Sequence, residues 1–214
     1  MIEILNIDCM EYMSGLTDNA FDLAIVDPPY GIGMAGGKIG GDKAAEAQDY
    51  KYFSGNDLEP PKPEYFQELS RVSKEQIIWG ANHFCELFKS SSPCWIVWDK
   101  ENTGNFADCE LAYTSFKTAV RKYSFKWNGM IQGDMKNKEK RIHPTQKPVK
   151  LYEWLLTNYS EKGQRILDTH LGSGSSAIAA HYFGVDFVGC ELDKDYFDAA
   201  SERFKSETRQ IDMF

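Results

Sequence analysis

An acid, two prolines and a tyrosine, Asp27-Pro28-Pro29-Tyr30, end the apolar run 21–26. Consecutive prolines fix two φ angles and remove two backbone donors, so the chain after Asp27 is stiff and offers carbonyls without competing N–H groups. Asp27 adds a carboxylate acceptor, and Tyr30 a ring on which a planar heterocycle stacks for roughly 1–3 kcal/mol. Acceptors beside an aromatic platform suit an exocyclic amine. Such an amine is a poor nucleophile because its lone pair is delocalised into the ring. Two acceptors on its N–H bonds favour a tetrahedral nitrogen and free the pair to attack an activated methyl group.

A second constellation lies near the other end of the sequence, in "RILDTHLGSGSSAIAAHYF". It reads as a buried strand, a Gly-Ser-Gly turn and an Ala-rich helix. Glycines let backbone approach a ligand closely, and a helix start offers unpaired N–H groups. The spacing Gly172-x-Gly174-x-x-Ala177 fits a nucleoside-cofactor turn, and Glu191, ending the next strand, accepts from ribose hydroxyls. A nicotinamide-binding fold needs several further strands after this turn, yet only "DFVGCELD" and one helix follow. Asp168, before the turn, meets a cationic amino group better than a pyrophosphate. S-adenosylmethionine therefore fits better than NAD.

The elements that position these residues alternate. Strands are predicted at "EILNI", "FDLAIV", "QIIWG", "CWIVW", "FKTAVRKYSFKW", "RILDT" and "DFVGCE", and helices at "KPEYFQELSRV", "VKLYEWLLTNY", "SSAIAAHYF" and "DYFDAASERF". This pattern predicts a doubly wound α/β fold with a mostly parallel sheet of about seven strands and helices on both faces. A single domain is expected over 1–206, with a tail at 207–214. Two irregular segments interrupt it, a flexible glycine-rich loop at 31–57 and a short basic stretch at 128–143.

Charge is segregated. The net charge is -8, yet residues 117–150 carry ten Lys/Arg against Asp134 and Glu139, a local +8 that leaves -16 for the rest. Cys9, Cys85, Cys94, Cys109 and Cys190 lack metal or redox spacing, as do the four histidines, so no metal site is expected and buried thiols in a reducing cytoplasm are the reading. No apolar stretch approaches the ~18 residues that span a bilayer.

Asp27-Pro28-Pro29-Tyr30 with "DTHLGSGSSAIAA" resembles the S-adenosylmethionine-dependent DNA amino-methyltransferases that modify adenine N6 or cytosine N4. The order of the motifs, and "HPTQKPVKLYEWLL" ahead of the glycine turn, is similar to the beta class. The resemblance implies a Rossmann-like methyltransferase fold and a catalytic set of Asp27, Pro28, Pro29 and Tyr30, with the Pro28 carbonyl as second acceptor and Tyr30 stacking on a base flipped out of the duplex. It implies cofactor contacts at Asp8, Cys9, Gln146, Lys147, Pro148, Asp168, Gly172, Ser173, Gly174, Ser175 and Glu191. Phosphate-holding residues are expected at Lys136, Lys138, Lys140, Arg141 and His143, with Lys38 and Lys43 in a loop that closes over the base. Asp in the first motif position leans toward adenine N6; the same machinery serves cytosine N4. Thr169-His170 departs from the family's Pro-Phe, and the target-recognition region is short.

The expected protein is thus a cytoplasmic, bacterial or phage-encoded DNA methyltransferase of restriction-modification type, using S-adenosylmethionine, with room for a homodimer and no membrane attachment. Gln210-Ile211-Asp212-Met213-Phe214 is similar to the pentapeptide with which replication and repair proteins bind the sliding clamp. Competing readings are a DNA-binding or clamp-associated module without turnover, an NAD-dependent oxidoreductase, and an RNA or protein-amide acceptor.

Overall fold

The computed structural model describes residues 1–32, 59–88, 91–102, 107–128 and 131–209. Lys38 and Lys43, most of the glycine-rich segment, and the clamp-like pentapeptide 210–214 lie outside the described residues. The strands are β1 (Ile2–Asn6), β2 (Phe21–Val26), β3 (Ser73–Trp79), β4 (Trp95–Asp99), β5 (Cys109–Thr114), β6 (Arg121–Ser124), β7 (Trp127–Asn128), β8 (Ile131–Gln132), β9 (Arg165–Asp168) and β10 (Asp186–Glu191). Eight of them make one sheet in the order β1-β10-β9-β2-β3-β5-β4-β6, and β7 pairs with β8 apart from it. All pairs in the large sheet are parallel except the two made by β5.

Both faces of the sheet are covered, which is why its central strands read as continuous apolar runs. Along β2, Leu23 and Ile25 face one side and Ala24 and Val26 the other, as the two-residue period of a strand requires. The first side packs under α3 (Val149–Tyr159), α4 (Ser175–Phe183) and α5 (Lys194–Thr208); the second packs under α1 (Cys9–Ser14) and α2 (Pro63–Val72). Helix α4 is apolar nearly all round because it is buried nearly all round, and Ala177, Ala179 and Ala180 let it sit close to its neighbours.

Two sequence expectations change. Cys109–Thr114 is a strand that the hydrophobic pattern misses, because its first half carries a thiol and an acid and its pairing with β3 and β4 is long-range. The alternating run 116–127 is not one strand: only Arg121–Ser124 pairs with β4, and Trp127 turns away into the β7–β8 hairpin. Helix α1 was likewise not foreseen, and α5 runs to Thr208, past the domain boundary expected at 206.

The order of strands decides where chemistry can occur. From β2 the chain proceeds to β3 on one side, and from β9 to β10 on the other, so β2 and β9 flank a topological switch point. A crevice opens beyond the carboxyl ends of strands at such a point. Leu23 pairs with Ile166 and Ala24 with Leu167, so the segments after Val26 and after Asp168 emerge side by side. Those segments are the acid-proline turn and the glycine turn. Among the described residues, no helix is long and apolar enough to cross a membrane.

Candidate active site

Asp27 leaves β2 into the crevice with its side chain only 16% exposed. Its Oδ1 accepts from the Tyr30 hydroxyl at 2.6 Å, and its Oδ2 pairs with the Lys147 ammonium at 2.5 Å. Lys147 also donates to Tyr30 Oη at 3.1 Å and reaches Glu110 Oε2 at 3.1 Å, while Lys100 pairs with Glu110 Oε1. Burial pushes the Asp27 pKa up against the pull of Lys147, with Glu110 adding to the rise. Burial also raises Glu110, but the two ammoniums outweigh it and hold that carboxyl at about 2. Lys147, although desolvated, is kept protonated by Asp27 and Glu110. Burial and the Asp27 charge raise Tyr30 well above the usual phenol range, so it remains a neutral donor.

The Tyr30 ring is placed by backbone. Gly80 follows β3 at φ +68, and a Cβ there would overlap the ring. His83, from the 3-10 turn Ala81–His83, stacks on Tyr30 with centroids 5.3 Å apart and planes at 18°. The Lys147 ammonium lies 5.6 Å from the centroids of both Tyr30 and Trp79, which adds a cation–π contact on each.

Beside this cluster, the glycine turn links β9 to α4. Gly172 and Gly174 have φ of +55 and +75, conformations that glycine adopts without strain. The Gly172 N–H donates to Glu191 Oε2 at 2.8 Å, and Asp193 N–H to Oε1 at 2.9 Å. These bonds orient Glu191 and still leave lone pairs for a ligand. Asp168 is 1% exposed and accepts from Ser176 Oγ at 2.6 Å and His170 N–H at 3.0 Å. Burial, with small additions from Asp27 and Glu191, pushes its pKa up to about 7. Asp8 caps α1 through Oδ1, next to the end of β10, and burial holds Cys9 as a thiol with a pKa of about 12. Thr169-His170 replaces apolar packing with polar pairing: Thr169 Oγ1 bonds Tyr65 Oη at 2.6 Å and His170 Nδ1 at 2.9 Å.

The basic stretch is held down by one acid. Glu139 Oε1 accepts from Val149 N–H at the start of α3, 2.9 Å, and Oε2 from Arg203 Nη2 at 2.7 Å. Arg203 Nη1 in turn donates to Ser173 O and Ser175 Oγ, each at 2.9 Å. One buried guanidinium thus ties the glycine turn to the strap. Lys136, Lys138 and Lys140 are exposed along that strap.

Several expected placements shift. His143, expected to face nucleic acid, is 9% exposed, packs edge-on to Tyr196, and lies against Gly172; burial and the nearby Lys147 and Arg141 lower its pKa to about 4. Arg141 donates to Pro144 O at 2.7 Å and lies over Trp127, which half-buries it. Gln146 is buried. It accepts from Ile142 N–H at 2.9 Å and donates to Lys140 O at 3.3 Å, folding the strap. Lys147 pairs with Asp27 and Glu110, because burial beside two carboxylates draws the ammonium there. Pro148 is buried at the start of α3. Glu110, Lys100, His83 and Arg203 were not singled out in the sequence; each acts through a contact remote in the chain, with no local motif to mark it.

Comparison with known proteins bears on this arrangement. A family model described as DNA methylase matches residues 95–202, half of the chain. The chain is 24% identical to the type II methyltransferase M.HpaI of Haemophilus parainfluenzae over 96% of its own length and 74% of that protein. Among solved structures it is similar to an M1.HpyAVI–SAM complex, with a TM-score of 0.57 and 21% identity over 95% of this chain and all of that one. It is also similar to the cytosine-N4-specific PvuII DNA methyltransferase, with a TM-score of 0.62 and 10% identity over 98% and 92% of the two chains.

The Gly80–Tyr30 contact yields a direct test. Gly80→Ala must strain a left-handed backbone and displace the Tyr30 ring, which predicts a loss of roughly 2 kcal/mol or more in urea unfolding. A stability within a few tenths of a kcal/mol of the parent would show that the ring is not confined there.

Proposed function

Because the chain belongs to the DNA methylase family of N6/N4 amino-methyltransferases, we propose that it methylates the exocyclic N6 amino group of adenine in DNA. The observation that carries this reading is the emergence of Asp27 and the glycine turn side by side from β2 and β9. Asp in the first position of the catalytic motif favours adenine over cytosine N4, the target that the PvuII enzyme's name gives.

S-adenosylmethionine is the cofactor, and it supplies an electrophilic methyl group. The donor set suits it. Asp168 offers a buried carboxylate to an ammonium, Glu191 an oriented carboxylate to ribose hydroxyls, and Asp8 with Cys9 a polar edge beside them. Gly172 and Gly174 keep side-chain bulk out of the turn. Asp27 and the Pro28 carbonyl accept from the target amine and localise its lone pair, and Tyr30 offers its ring to the base. Burial raises the Asp27 pKa, which makes its carboxylate a better acceptor for the proton the amine sheds.

The deciding experiment combines purified protein, methyl-labelled S-adenosylmethionine and DNA of mixed sequence, followed by digestion to nucleosides. Label should appear in N6-methyladenine and fall by about 100-fold or more in Asp27→Ala. Label in N4-methylcytosine would transfer the assignment to cytosine, and label only in RNA or protein would exclude DNA.

Lys136, Lys138 and Lys140 serve DNA phosphates in this reading. Replacing all three with Ala should weaken binding across sequences and flatten the log–log salt slope by about 2–3 units, roughly 0.9 per lost phosphate contact. An unchanged slope would remove them from the interface.

Asp168 makes cofactor affinity depend on pH. Its folded pKa of about 7 means that it is protonated in mild acid and becomes an anion as pH rises. A cationic ligand prefers the anion, so wild-type affinity for S-adenosylmethionine should rise relative to Asp168→Asn between about pH 6 and 8. The rise should level off near pH 8, where the ligand's own α-amino group, with a pKa of about 7.7–8.0, loses its charge. Parallel pH profiles for the two proteins would show that Asp168 does not meet the ammonium.

A further inference from the structure

Both oxygens of Asp27 are engaged, Oδ1 by Tyr30 and Oδ2 by Lys147. A target amine held by this carboxylate therefore competes with the Lys147 ammonium for Oδ2. That ammonium is 5% exposed and cannot retire into water. Stranding it without an anion would be strongly unfavourable. A second anion is already in place: Glu110 Oε2, on β5, lies 3.1 Å from Lys147 Nζ, while Lys100 neutralises Oε1 of the same carboxylate. Moving Lys147 toward Glu110 keeps the ammonium on a buried anion, and Asp27 retains the Tyr30 hydroxyl and exchanges its direct contact with the ammonium for an amine N–H, the cation staying nearby.

We propose that Glu110 is a positioning residue for methyl transfer, the acceptor that takes the Lys147 ammonium and so releases Asp27 Oδ2 to the target amine. The inference rests on the methyl-transfer reading above. Its electrostatics allow the handover: the two ammoniums hold the Glu110 carboxyl well below the usual carboxylate range, so it is an anion ready to receive Lys147. Glu110 belongs to no motif and enters the crevice only because β5 runs antiparallel between β3 and β4.

Glu110→Gln and Glu110→Asp separate this role from packing. Gln keeps the size and shape of the side chain and loses the charge; Asp does the reverse. The proposal expects kcat to fall by about tenfold or more in Glu110→Gln, with Glu110→Asp closer to wild type, and affinity for S-adenosylmethionine within about twofold in both. The opposite ranking, or wild-type kcat in Glu110→Gln, would overturn it. Should Glu110→Gln fail to fold, Glu110→Asp provides the check alone: it retains the anion, so kcat should stay within about threefold of wild type, and a fall of about tenfold or more would overturn the proposal. A wild-type protein that methylates nothing would sink the parent reading and this one together, whereas an active wild type with an unaffected Glu110→Gln sinks only this one.

Discussion

A single ammonium, buried between two carboxylates, governs the crevice of this molecule. Lys147 comes from just before α3, Asp27 from the end of β2 and Glu110 from the start of β5, and the side chains meet because the strand ends converge at one edge of the sheet. Charges removed from water to this degree persist only when paired and hydrogen-bonded. The pairing in turn fixes Tyr30 through its hydroxyl, and the Tyr30 ring is fixed again by Gly80 and His83. Stiffness of the proline turn is therefore only part of the preorganisation. The rest is electrostatic and arrives from strands and loops distant in sequence.

A second buried pair performs a similar service for the neighbouring half of the crevice. Arg203 on α5 gathers the backbone of Ser173, the hydroxyl of Ser175 and the carboxylate of Glu139, while Glu139 also accepts from the first turn of α3. Counting residues 117–150 as a basic surface thus overstates the charge that faces solvent. Lys147 is internal, Arg141 is folded over Trp127, and Glu139 is an anchor rather than a diluted charge. The exposed lysines sit on a strap whose foot is tied by Arg203 to the glycine turn, so the two share one support.

What the sequence made legible follows from range. The proline turn, the glycine turn, and helices α3 and α4 are specified by neighbours within a few residues, through fixed φ angles, left-handed glycines and apolar periodicity, and they lie where those signals put them. Their meeting was also legible, because adjacent parallel strands on either side of a switch point leave little choice. Strand β5 was not. Its first residues are Cys109 and Glu110, and its reason for being a strand is the gap between β3 and β4, which no local pattern encodes. The Lys147–Asp27 pair is not legible either, since "QKP" carries no information about a carboxylate more than a hundred residues away. His143 resembled a surface residue within a basic run, yet Tyr196 and Gly172 enclose it.

Energetic bookkeeping explains why a second acid belongs beside the catalytic one. Extruding a base costs a few kcal/mol, and stacking it on a ring returns about 1–3 kcal/mol. That balance is already close to even. If the arriving amine also had to break the Asp27–Lys147 pair and leave the ammonium bare, a further penalty of about 3–5 kcal/mol would make the productive complex rare. With Glu110 at 3.1 Å the ammonium changes partner through a small motion and its desolvation is never exposed. In the proposed exchange Asp27 rests oriented by a cation and then faces the amine while that cation stays within reach on Glu110. A lone acid buried in the same place would drift toward its protonated form and lose its use as an acceptor. In that reading the lysine favours the charged form of Asp27, and the glutamate competes with Asp27 for the lysine.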